Sequence, residues 1–330
     1  MSQIQQCPGV AKRSASRIVR FLKNWTLPVA IIMGFVAYEV YAHVPLFDAT
    51  RPYAPGVVAV VQPLLIFTML FLSFCKIDGR TLRPHVHHLW LLLIQAGAFI
   101  AGALVLRYVP QFPGNAVLQG CMLCMICPTA TSACVVTMKL KGDAADITAY
   151  TVLINLLVAI VVPLFVPLFS NAHGMSFLPA FASIISRVFP MLIMPLVAAQ
   201  LCRWLLPRLT QKIISVPDLP FYLWAVALSI AIAVTARALT HTQEPLGEIV
   251  GIAVGSLACC ALQFTLGTLI GCHYGKRISA AQSLGQKNTV FAIWVGYTFL
   301  NPVTSIAGGF YSVWHNLYNT WQLRREAKKQ

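Results

Sequence analysis

The chain has 330 residues, is 58% hydrophobic and only 10% charged, and has a mean hydropathy of +0.73. That excludes a soluble globular domain, which carries roughly 25% charged residues, whereas lipid-facing helices need no polar cover. The net charge of +15 would suggest nucleic acid if it formed a patch on a soluble fold, but it is dispersed among loops, and no nucleic-acid partner is expected.

A span needs about 20 predominantly apolar residues. In chain order, spans are expected over Trp25 to His43, Val57 to Cys75, Leu89 to Arg107, and Val117 to Met138 with an interruption at Pro128. A fifth runs from Ala144 to Phe169. After the polar break Ser170-Asn171-Ala172-His173-Gly174, the stretch Ser176 to Leu206 is too long for one straight span. It reads as an interfacial linker helix to Arg187 followed by a sixth span from Phe189. Four more follow: Leu219 to Leu239, Ile249 to Cys272, Ser279 to Leu300 and Val303 to Trp321. The basic segment before the first span is not followed by a small-residue cleavage site, so it does not read as a signal peptide.

Basic residues test this count. With a cytoplasmic N-terminus and ten crossings, 19 of the 24 Lys and Arg fall on the inside. They lie in the N-terminal segment and in the loops around Lys76, Lys139, Arg208 and Lys276, with a last group from Arg324 to Lys329. Only Arg51, Arg107, Arg187 and Arg237 fall outside, as the positive-inside rule requires. Both termini are therefore expected in the cytoplasm, in a bacterial inner membrane. The expected organisation is a basic segment 1–24, a first unit 25–170, a second unit 171–321 and a basic tail 322–330. Lys287 is left over, in mid-span.

Two spans are interrupted at matching places. The fourth reads Cys127-Pro128-Thr129-Ala130-Thr131-Ser132-Ala133, and the ninth reads Ser283-Leu284-Gly285-Gln286-Lys287-Asn288-Thr289. Pro128 removes a helical hydrogen bond, and Gly285 admits non-helical backbone angles. The breaks lie 157 residues apart, from 128 to 285. With five spans per half, the second half enters from the opposite side. Paired interrupted helices in an inverted repeat point to a transporter's binding site. Two unrelated kinks would leave the same local pattern.

These motifs resemble the bile acid:sodium symporter family. Residues 127–133 followed by Lys141-Gly142-Asp143 are similar to the family's broken fourth helix, where Pro-Gly-Gly-x-x-Ser-Asn precedes Lys-Gly-Asp. Ser283 to Asn288 resembles its Glu-x-Gly-x-Gln-Asn in the ninth. The resemblance implies an all-α polytopic fold of about ten transmembrane helices, in two inverted five-helix repeats. It implies core and panel domains, and broken helices that cross near the bilayer midplane. Thr131, Ser132, Asn288 and Thr289 would then contact substrate.

The same alignment places the family's sodium ligands on unsuitable residues. The central carboxylate falls at Ser283, the Ser-Asn pair at Ala133 and Cys134, and a helix-five serine near Ile147. Thr151 and Gln286 still offer oxygens. The ninth-helix glutamine falls at Lys287, whose ammonium would stand where a sodium binds. Sodium coupling is therefore not expected, proton coupling stays open, and no cofactor is required. A lysine at bilayer depth costs roughly 2.5–3.5 kcal/mol and calls for a partner; Asp146 is one candidate and Glu39 a weaker one. Lys287 reads as a locked cation, a proton carrier or a direct anion ligand.

Other patterns were weighed. Cys121-x-x-Cys124-x-x-Cys127 matches part of an iron–sulfur spacing but sits in an apolar helix without a suitable fourth cysteine. A thiol path for arsenite is the better rival, since arsenite exporters share the fold superfamily. Pro84-His85-Val86-His87-His88 suits a metal or an interfacial helix start, and no metal ligand is assigned. The expectation is a sodium-independent secondary transporter of a small or medium organic anion, and not an enzyme. The alternatives are a metalloid exporter or an anion channel or receptor.

Overall fold

The computed structural model describes residues 26–77, 79, 82–170, 176–216 and 219–328. The basic segment 1–24, Trp25, Arg80, the centre of the polar break (Asn171, Ala172, His173, Gly174) and Lys329 lie outside the described residues. Within them the chain is all-α apart from one isolated β-bridge. The helices are α1 (Thr26–His43), α2 (Ala54–Cys75), α3 (Val86–Tyr108), α4 (Asn115–Ile126), α5 (Ala133–Lys139), α6 (Ala144–Phe169) and α7 (Phe177–Leu205). They continue with α8 (Pro207–Ile214), α9 (Leu219–His241), α10 (Leu246–His273), α11 (Arg277–Gly285), α12 (Thr289–Phe299) and α13 (Ile306–Ala327). Six of them, α2, α3, α6, α7, α9 and α10, are long and apolar enough to cross a membrane. The protein is an integral membrane protein.

Most expected spans coincide with helices, and the sixth needs correction. Residues 177–205 form one 29-residue helix rather than a linker helix followed by a span. All its buried positions but Ile193 (Ala180, Ile184, Val188, Met191, Leu192, Pro195 and Ala199) make one stripe that runs past the expected division. At 1.5 Å per residue the helix is about 43 Å long. The surplus over a ~30 Å hydrocarbon core is absorbed by tilt or by extension past it. The short helix α8, begun by Pro207 at its first turn, was not anticipated.

Packing separates two groups. Helix α1 lies on α9, and α2 lies on α7 and α9. Helices α3 to α6 and α10 to α13 form the other group, in which α10 covers α4, α11 and α13. The groups meet where α9 touches α12 and α13, where α2 touches α12, and along α6 and α7.

The Lys141-Gly142-Asp143 triplet has a local mechanical account. Helix α5 closes in a Schellman motif: Gly142 N–H donates to Thr137 O at 2.8 Å and Lys141 N–H to Met138 O at 3.0 Å. Lys141 takes the left-handed position, with φ 64°. A Cβ on Gly142 would lie 2.7 Å from both Ile278 Cγ2 and Thr137 Cγ2, so only glycine lets α11 approach. Asp143 then caps α6, accepting from Ala145 N–H (2.9 Å) and Asp146 N–H (3.1 Å). The same carboxylate accepts a hydrogen bond from Lys276 Nζ, just ahead of α11. The triplet thus ties the first broken helix to the second.

Candidate functional site

Both interruptions follow from backbone chemistry. Pro128 disfavours the helical region for the residue before it; α4 ends at Ile126 and Cys127 turns extended, with φ −50° and ψ 135°. Helix α11 ends at Gly285, and Gln286 is extended, with φ −94° and ψ 102°. The extended pieces cross antiparallel, pairing Thr129 with Lys287 in the isolated bridge. Ala130 N–H donates to Gln286 O at 2.9 Å, and Asn288 N–H to Pro128 O at 2.8 Å. Around them Thr129 Oγ1 donates to Ser283 O (2.7 Å), Cys127 Sγ to Asn288 O (2.8 Å) and Gln286 Nε2 to Ser132 Oγ (2.8 Å).

A broken helix leaves its last carbonyls without partners, and in lipid each must find a donor. Here side chains from neighbouring helices supply them. Gln95 Nε2 donates to Met125 O (2.8 Å) and Cys127 O (3.3 Å), while its own oxygen accepts from Tyr150 OH. Gln263 Nε2 donates to Cys124 O at 3.1 Å. Tyr311 OH donates to Gly285 O at 2.8 Å. Amide and hydroxyl donors, rather than the Lys287 side chain, hold these carbonyls.

Lys287 is 1% exposed, and its Nζ has no hydrogen-bond partner among the described residues. Asp146 is not its partner, because that carboxylate is taken up by His85, His87, His88 and Ser279. Glu39 is not either; it pairs with His43 at 3.2 Å on the surface of α1. Ser283 Oγ and Gln286 Oε1, both buried, also lack partners among the described residues. Thr151 spends its hydroxyl proton on Ile147 O of its own helix at 2.8 Å. Gly285 does not take a left-handed angle. Its need is space, since a Cβ there would lie 2.5 Å from the Phe264 ring.

The crossing opens onto a cavity of about 20 Å³ lined by Thr131, Ser132, Lys287, Asn288 and Thr289 together with Met69, Ala130, Trp224, His315 and Asn316. All four residues expected to contact substrate therefore share one wall with Lys287. Asn288 also caps α12, its side chain accepting from Phe291 N–H at 3.3 Å. The opposite wall, Met69 on α2 and Trp224 on α9, belongs to the other packing group, so the cavity lies between the two.

The sequence profile of the Sodium Bile acid symporter family matches residues 63–242, more than half of the chain. The chain belongs to the Sodium Bile acid symporter family. The match takes in α3 to α9 and the Pro128 break, and it stops before the break that carries Lys287. The chain is also similar to an uncharacterized sodium-dependent transporter of Bacillus subtilis (strain 168), YocS, with 23% identity over 225 residues. That match covers 65% of this chain, and the chain spans about 65% of that relative's length.

Two features of this family member escaped the sequence. His315 and Asn316 enter the cavity from α13, and His315 is buried with Nδ1 unpartnered among the described residues. They sit in the last helix, whose inner face could be assigned only once its neighbours were known. The second feature is Asp146 with its three histidines. The His85-x-His87-His88 run was visible, but its carboxylate is 58 residues downstream of His88, and only the packing of α6 on α3 joins them.

Proposed function

We propose that the protein is a secondary transporter that carries a small or medium organic anion by alternating access, without sodium, Lys287 standing in place of a sodium ion. The observation that carries this reading is the Lys287 ammonium, buried at the crossing with no hydrogen-bond partner among the described residues. An unpaired buried cation in a polar cavity favours an anion that supplies the missing charge and hydrogen bonds. The N-terminus of α12 at Thr289 adds backbone N–H groups and a positive dipole end to the same cavity. A second cavity of about 440 Å³ is lined by Arg237, His241, Tyr297 and Asn301 and also by Glu244, so its charge is mixed.

In this reading the chain has ten spans in two inverted five-helix repeats, 25–170 and 171–321, with α4–α5 and α11–α12 as the broken pair. The group α1, α2, α7 and α9, with the short α8 against it, is the panel, and α3 to α6 with α10 to α13 are the core. Both termini are cytoplasmic, and the membrane is a bacterial inner membrane. Rocking of panel against core would expose the cavity alternately to each side. Sodium independence sets the protein apart from what the name of its Bacillus subtilis relative states. It is supported by the serine, not a carboxylate, at position 283 and by the lysine at 287, whose ammonium, when charged, repels a second cation.

The test is a thermal-shift screen of the purified full chain against organic anions in sodium and in choline buffers. An anion that raises the melting temperature equally in both supports the proposal. Stabilisation that requires sodium overturns the ion assignment, and a panel in which only cations or neutral solutes stabilise overturns the substrate class.

A further inference from the structure

Apart from the crossing, one buried polar cluster stands out. His85, His87, His88 and Asp146 each offer one ligand atom, and these atoms lie within 4.8 Å of one another. The carboxylate is 1% exposed, as are both His87 and His88. Asp146 Oδ1 lies 3.0 Å from His85 Nδ1 and 3.1 Å from His88 Nε2, and Oδ2 lies 3.1 Å from His87 Nε2. Ser279 Oγ donates to Oδ2 at 2.6 Å.

The three histidines are not equivalent. His88 Nδ1 accepts the backbone N–H of His85 at 3.2 Å, so its ring proton sits on Nε2 and is donated to Asp146 Oδ1. With Ser279 it orients the carboxylate, in the way that outer partners orient metal-ligating groups. His85 and His87 remain with ring nitrogens facing the two carboxylate oxygens. A buried carboxylate calls for a compensating cation, and the lysine beside it, Lys276, is already engaged by Asp143.

We propose that His85 Nδ1, His87 Nε2 and the Asp146 carboxylate bind a borderline divalent transition-metal ion such as zinc or nickel. At metal–ligand distances of ~2.0–2.1 Å, donors about 3 Å apart subtend about 90° at the ion. Each imidazole nitrogen can therefore share the ion with the carboxylate oxygen it faces, with water completing the shell. Two imidazoles and one carboxylate select zinc or nickel over magnesium or calcium, which take oxygen ligands. His85 provides both the entry and the freedom to close: its side chain is 44% exposed, and it precedes α3 in extended backbone, with φ −118° and ψ 158°. The ion replaces the ring proton that His87 now shares with Asp146. Loading would fasten the first turns of α3 and α6, and through Ser279 that of α11, about two turns ahead of Lys287.

The test uses the full chain purified without a polyhistidine tag, stripped with chelator and titrated calorimetrically with Zn²⁺, with Mg²⁺ and Ca²⁺ as controls. One equivalent of zinc is expected, neither control ion competing. His85→Gln, at a half-exposed position where folding is safe, should weaken zinc binding at least tenfold, and so should His87→Gln. Cys121→Ser with Cys259→Ser should leave binding unchanged. Absence of stoichiometric zinc binding overturns the proposal. So does undiminished binding in His85→Gln, or binding lost only in the cysteine variant, which would assign the metal to thiols.

Discussion

Thr129 and Lys287 face each other as the one isolated β-bridge among the described residues, flanked by backbone hydrogen bonds of 2.9 and 2.8 Å. The crossing is therefore held by main chain and by Gln95, Gln263 and Tyr311, and the Lys287 side chain contributes no hydrogen bond to it. Lys287→Met should leave the fold intact and raise its stability by about 1–3 kcal/mol, the cost of a buried unsatisfied polar group. The same variant should lose stabilisation by anions. Melting curves with and without anion check both halves; a variant that unfolds would mean that the ammonium holds the crossing together.

Restoring the family's carboxylate and amide should change the ion dependence. Ser283→Glu with Lys287→Gln removes the fixed cation and places a carboxylate beside the orphaned Gln286 Oε1. Sodium should then stabilise the double variant, by about 2.7 kcal/mol at a hundredfold excess over Kd, and should not stabilise the parent. Melting temperature against sodium concentration, with choline held complementary, reads this directly.

Gly285 should tolerate no side chain while Phe264 stays. A Cβ would meet three ring atoms at 2.5–2.6 Å, and overpacking of this kind costs typically 1–3 kcal/mol. Gly285→Ala should lower stability by that amount, and adding Phe264→Leu should recover much of it. Equal losses in the single and double variants would place the strain in the backbone instead.

The Asp143–Lys276 pair lies outside the spanning segments and titrates with a definite sign. Lys276 holds the Asp143 carboxyl below its ordinary 3.8, and Asp143 holds the Lys276 ammonium above its ordinary 10.5. The aspartate's share of stability is present above 3.8 and fades as pH falls through its lowered value. The lysine's share is complete below 10.5 and fades as pH rises through its raised value. Asp143→Asn keeps a capping oxygen and loses the pair, so it should cost less than about 1 kcal/mol, and the difference should close in strong acid. Asp143→Ala also loses the cap and should cost about 1 kcal/mol more. Denaturation at several pH values separates the two.

Cysteine reporters at positions 10 and 326 should both label from the cytoplasmic side. Opposite sides for the two ends would mean an odd number of spans and would end the inverted-repeat reading.

Composition and hydropathy alone determined that this is a helical membrane protein and where most of its helices fall, because lipid imposes a length and a hydropathy on each helix without reference to its neighbours. Pro128 and the polar run around Lys287 marked both breaks for the same reason: a proline or a lysine in mid-membrane is costly wherever the rest of the chain lies. Packing decided the rest. Helix α7 runs unbroken because one buried stripe passes through Val188, which hydropathy cannot see. Asp146 went to three histidines rather than to Lys287 because α6 lies against α3. His315 entered the cavity because α13 turns that face towards the crossing. Such pairings depend on distances between residues far apart in sequence, and those distances exist only after the helices have packed.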